Sequence, residues 1–175
     1  MLGSTNFMLG IYDGQTAPAN TPVSALAGSN KITALFQSWF DKHFYPRTNT
    51  DFSGRSDYGP FLAEGIVCGG LFTGAEGIKS LAEKEYYEEL LGPDLSGTAG
   101  VPYDSCYHQA CDTTTNINQL ALEITTQAAA SILEYLALQD DLKTWLYPGG
   151  TARRADNEEQ RQYDSINERF GLPYL

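Results

Sequence analysis

The chain has 175 residues, a length that predicts one domain large enough to bury a real core. Its 22 acidic and 11 basic residues leave a formal net charge of −11, spread along the sequence. That excludes the basic footprint of a nucleic-acid binder and attraction to an anionic membrane surface. Hydrophobic residues make up 42% of the chain, near the globular norm. No run approaches the roughly 18 apolar residues of a membrane span.

The opening Met1-Leu2-Gly3-Ser4-Thr5-Asn6 lacks a basic start followed by an apolar run, so it does not read as a signal peptide. Phe7-Met8-Leu9-Gly10-Ile11-Tyr12, ended by Asp13-Gly14, predicts a short buried strand. Residues 15–28 read as loop, and Ser29 or Asn30 as the cap of a helix over 31–44. Its Ile32, Leu35, Phe36, Trp39, Phe40 and Phe44 form one apolar face. His43 beside that stripe reads as an exposed helical histidine without a role. Residues 46–60 are polar loop, and 66–72 a second buried strand bounded by glycine. Ser80 caps a helix over 81–91, whose Glu83, Glu85, Glu88 and Glu89 make a solvated charged face. A loop over 92–116 follows, and loops of that length usually carry function. The last clear helix spans 118–139. The pattern is α/β, with two or three strands covered by helices.

Two loops hold the chemistry. One is Ser53-Gly54-Arg55-Ser56-Asp57-Tyr58-Gly59-Pro60-Phe61, where Arg55 and Asp57 could be no more than a local ion pair. The other ends in Cys106-Tyr107-His108-Gln109-Ala110-Cys111-Asp112. Three cysteines allow one pair with one left over. Cys68, in an apolar run, reads as a buried thiol, which leaves Cys106 and Cys111 either paired in an oxidising compartment or as two free thiols. Imidazole is the commonest protein metal ligand. One histidine is still one ligand, and zinc takes at least three from protein.

Four blocks occur in order: residues 54–61, then Gly69-Gly70-Leu71-Phe72-Thr73-Gly74-Ala75, then Gly97-Thr98-Ala99-Gly100, then residues 103–112 with Asn116-Ile117-Asn118. The series resembles the C-terminal half of secreted fungal and bacterial dizinc aminopeptidases of the leucine aminopeptidase type. These belong to peptidase family M28, which also holds glutaminyl cyclases and transferrin-receptor-like ectodomains. The resemblance covers residues 1–138 and leaves 139–175 as an extra, loosely packed tail.

The resemblance implies the C-terminal part of a three-layer αβα zinc-peptidase domain with a mixed central sheet, truncated at its N-terminus. It implies secretion, two zinc ions and hydrolysis of the N-terminal peptide bond of a peptide substrate. In that scheme His108 is the last zinc ligand, and the Tyr107 hydroxyl stabilises the developing oxyanion. The Arg55 loop positions the substrate's amino end, Phe72 lines the pocket for the first side chain, and a Cys106–Cys111 disulfide clamps the loop. The family's other ligands (a His, a bridging Asp, a Glu and a final Asp) and its general-base Glu lie upstream of the matched region. Met1-Leu2-Gly3-Ser4 resembles the segment just after the final Asp. The expectation is therefore a metallo-exopeptidase by family whose chain alone is inactive and binds at most stray zinc. Uncovered sheet edges imply self-association or a companion chain. The alternatives are a non-catalytic interaction or receptor-like relative, and a cyclase or carboxypeptidase of the same family. Retention of Tyr107 with His108 counts against the first, and the Cys-Tyr-His-x-x-Cys block against the second.

Overall fold

The computed structural model describes residues 2–150. Strand β1 (Gly10–Asp13) is followed by a single 3-10 turn and by helix α1 (Val23–Lys42). Then come β2 (Thr48–Asp51), α2 (Tyr58–Ala63), β3 (Leu71–Phe72), α3 (Leu81–Leu91), α4 (Gln119–Ala137) and α5 (Leu142–Leu146). The sheet order is β2-β1-β3, with β2 parallel and β3 antiparallel to β1. The architecture is a small α/β fold around a mixed three-stranded sheet.

Helix α1 starts well before the expected residue 31. Ser29 and Asn30 lie inside it, and Pro22 precedes its first turn without a side-chain cap. The early face was hidden because it is built from small residues, Ala25, Gly28 and Ser29, continuing the spacing of Ile32, Phe36 and Phe40. Those positions are small because other chain lies against them. A Cβ on Gly28 would come within 2.4 Å of the Leu146 carbonyl oxygen and 2.5 Å of the Val67 side chain. The Ser29 hydroxyl accepts a hydrogen bond from the Cys68 N–H at 3.2 Å.

Two elements lie inside the expected loop 46–60. Strand β2 reads Thr-Asn-Thr-Asp and has no apolar side, so its pairing is carried by main-chain bonds to β1 in the register Gly10↔Thr48 to Asp13↔Asp51. Helix α2 is a short turn of helix that buries Leu62. The strand expected over 66–72 shrinks to Leu71–Phe72, although the Tyr12 N–H still donates to Gly70 O at 3.1 Å. Cys68 is half-buried rather than enclosed, and burial pushes its thiol up.

Where caps were expected at Ser80 and Asn118, they are found. The Ser80 hydroxyl accepts from the Glu83 N–H, and the Asn118 side chain from the Ala121 N–H, each relieving an orphan donor of a first turn. The main core joins Phe7, Leu9 and Ile11 to Ile32, Phe36 and Phe40 of α1, Tyr87 of α3, and Ile124 and Ile132 of α4. Full burial of one such side chain stabilises by roughly 1.5–3 kcal/mol. Tyr87 is the largest, and its hydroxyl accepts from the Leu9 N–H at 2.6 Å. Helix α5 lies beside α1: the Lys31 ammonium donates to Trp145 O at 2.6 Å and sits over that indole ring. The Tyr147 hydroxyl accepts from the Val67 N–H. Residues 151–175, the rest of the expected tail, lie outside the described residues. No helix among the described residues is long and apolar enough to cross a membrane.

Candidate active site

Residues 74–79 and 100–104 run antiparallel, joined by Tyr103 N–H to Gly77 O, Asp104 N–H to Ala75 O and Lys79 N–H to Val101 O. The approach is close. Gly74 has φ +99°, and a Cβ there would sit 2.3 Å from the Tyr103 Cβ, so only glycine fits. This ladder carries the next turn to its place. Asp104 is 3% exposed, and its carboxylate accepts from the Cys106 N–H at 2.9 Å. Cys106 and Cys111 are joined by a disulfide with Cα atoms 5.3 Å apart, which resolves the two alternatives for these thiols.

Between them, Tyr107 and His108 stack with ring centroids 3.9 Å apart and an interplanar angle of 21°. His108 has φ +56°, the left-handed region that a non-glycine residue enters only when its surroundings hold it there. Tyr107 is half-buried and His108 exposed. Among the described residues the Tyr107 hydroxyl makes no hydrogen bond, and Tyr107 borders a hollow.

Two adjoining hollows, of about 390 and 260 Å³, share Thr50, Asp51, Arg55, Phe72, Ala75 and Glu76 as walls. Met8 and Tyr103 extend the first, while Tyr12, Ser53 and Tyr107 extend the second. Sequence-expected Arg55, Phe72 and Tyr107 therefore face one cleft. Arg55 does not pair with Asp57; its guanidinium donates to Glu76 at 2.5 Å across that cleft. The Arg55 hydrogen bond holds the Glu76 carboxyl below its ordinary range, and the nearby His108 acts in the same direction. Behind the cleft, Tyr12 packs against Phe52, Tyr58 and Phe72, and burial raises its phenol. Sequence reasoning missed Tyr12, Asp51 and Glu76. Only Glu76 left a signal, standing right after the 69–75 block and before Gly77.

The donor set does not fit a zinc centre. Among the described residues no three His, Cys, Asp or Glu side chains converge on one point. His108 is a single donor, and His43 is at the end of α1, its ring stacked on Trp39.

Residues 8–133 match the family described as Peptidase family M28. The chain belongs to peptidase family M28. Arg55, Phe72, Tyr107 and His108 all fall inside the M28 match. The chain is 41% identical over 138 residues to an aminopeptidase of Pseudomonas aeruginosa, covering 79% of this chain and 24% of that protein. It is 39% identical over 160 residues to leucine aminopeptidase 2 of Trichophyton equinum, covering 91% and 30%. With probable leucine aminopeptidase 2 of Aspergillus oryzae it shares 44% over 130 residues, covering 74% and 24%. It thus spans 24–30% of the length of these M28 relatives.

Proposed function

We propose that this chain forms the substrate-facing part of an M28 aminopeptidase site acting on peptide N-termini, within a three-layer αβα domain of which it is one part, and that alone it is inactive. What carries the reading is the convergence of Arg55, Phe72 and Tyr107 on one cleft, with His108 stacked on Tyr107. The free Tyr107 hydroxyl suits donation to a carbonyl oxygen as it gains charge. Phe72, with Met8 and Tyr103, offers an apolar wall for the first side chain. Arg55 lines both hollows, which supports a part for its loop in positioning the substrate's amino end. The disulfide suits a secreted protein.

Zinc, which the family reading implies, needs donors that the described residues do not bring together; His108 would be one ligand among several. Inactivity follows from that shortage. The test is hydrolysis of leucine p-nitroanilide by the purified chain with added zinc. No turnover above blank is expected, whereas turnover abolished by His108→Ala would overturn the proposal of inactivity. The cleft itself is tested by titrating leucinamide and following Tyr107 ring resonances, which should shift in the wild type and not in Phe72→Ala.

The apolar hollow of about 450 Å³ bordered by Leu2, Ile32, Phe36, Leu71, Ile132 and Leu136 supports self-association through this uncovered face. A monodisperse monomer in light scattering would contradict it.

A further inference from the structure

We propose that Asn116 and Asp104 are the positioning residues of the Tyr107–His108 turn. The Asn116 side-chain amide ties the two ends of the turn together and, through Asp104, seats it on the wall of the cleft. The disulfide alone does not perform that task.

Asn116 Nδ2 donates to Asp104 Oδ1 at 3.0 Å and to Asp112 Oδ1 at 3.3 Å. One side chain therefore reaches both edges of the span that holds the two rings. A side-chain amide is suited to this because its nitrogen carries two hydrogens, one for each carboxylate. Aspartate at the same place would put a third carboxylate against the other two, and alanine would leave the buried Asp104 with the Cys106 N–H alone. Such a loss is felt because a buried carboxylate needs donors to compensate its lost hydration.

The two staples are nested, and they differ in what they reach. The disulfide joins residues 106 and 111, both inside the turn. It fixes the shape of the loop from within, and both of its ends lie inside the span that has to be placed. Asp104 is different: its main-chain N–H donates to Ala75 O at 2.8 Å, beside Glu76 in the cleft wall. Asn116 likewise belongs to the chain entering α4, where Asn118 caps the helix and its N–H donates to Gly3 O at 2.8 Å. The amide thus connects the turn to two fixed parts of the molecule. His108 lies inside the span so supported, with its backbone in the left-handed region.

The chain carries only two histidines, His43 and His108, so their imidazole signals in a proton–carbon spectrum at one fixed pH act as probe and internal control. In Asn116→Ala, with the disulfide shown intact by a count of one thiol after denaturation, the His108 signal should move or broaden as its stack on Tyr107 is lost. The His43 signal should stay in place. Asn116→Asp should do the same, and Asp104→Asn, which keeps an acceptor oxygen, should retain the wild-type His108 position. Reduction of the wild-type disulfide should leave the His108 signal close to its native position. An unmoved His108 in Asn116→Ala, equal movement of both histidines, or loss of the His108 position on reduction alone would each overturn the proposal. It rests on Tyr107 and His108 being the turn that carries chemistry. The spectrum reads only where the turn sits, so its failure is distinct from a failure of the aminopeptidase reading, which the leucinamide titration reports.

Discussion

The core between β1, α1 and α4 is made of side chains that need only be apolar and of the right volume, Leu9, Ile11, Phe36, Phe40 and Ile124 among them. The stretches 74–79 and 100–118 are made differently. There the chain is placed by directional bonds: the 74–79 and 100–104 ladder, the Asp104 carboxylate, the Asn116 amide and one disulfide. A core held by buried area loses stability in proportion to the volume removed. A loop held by single bonds loses position when one of them goes, with little change in total stability. The candidate site stands on the second kind of region, which suits a turn that must aim two rings.

The largest expected effect is on the core. Phe40 is fully buried, and Phe40→Ala should cost about 3–5 kcal/mol in urea unfolding. A cost below that of a surface substitution would show that α1 is not what the sheet packs against. Tyr87→Phe comes next. It keeps the ring and removes the acceptor of the Leu9 N–H, leaving a buried donor unsatisfied at about 1–3 kcal/mol. A neutral outcome would mean that the hydroxyl adds nothing to area burial even here.

Lys79 sharpens the comparison because it belongs to both regions. Its ammonium lies over the Phe7 and Tyr87 rings and donates to Ser96 O at 2.7 Å. Burial pulls its pKa from 10.5 down to about 8, with Glu83 opposing. Between those values the unfolded chain binds the proton and the folded one releases it, so stability rises with pH. Below about pH 8 both states are protonated and the dependence vanishes. Wild type should therefore gain stability relative to Lys79→Met from pH 8 towards 10.5, read from urea midpoints at stepped pH; a constant difference would sink the assignment. The smallest effect is expected at Glu76→Gln, which removes an exposed ion pair and should leave the urea midpoint unchanged within measurement error. A loss as large as that of Tyr87→Phe would make the Arg55–Glu76 pair part of the scaffold and not of the cleft.

Much of this is legible in the amino-acid sequence. The α3 and α4 boundaries followed from apolar spacing and from Ser80 and Asn118, because a cap and a 3.6-residue period are local properties. The start of α1 was not, since Ala25, Gly28 and Ser29 are small to admit Val67 and the chain near Leu146, and smallness carries no periodic signal. Strand β2 escaped for a related reason: its polar residues pair through the backbone, which every sequence possesses. In the candidate site, the motif blocks brought out Arg55, Phe72, Tyr107 and His108, while Tyr12 and Asp51 look ordinary until the cleft puts them beside those residues.

By itself the sequence determined the family, the helix caps and the residue types that can do chemistry, since each depends on a short run of neighbours. Only the tertiary structure decided that Arg55 pairs with Glu76 and not Asp57, that Lys79 is buried between two rings, and that Asn116 holds the turn carrying His108. Those are meetings between residues from 8 to more than 70 positions apart, and their partners are set by the tertiary packing.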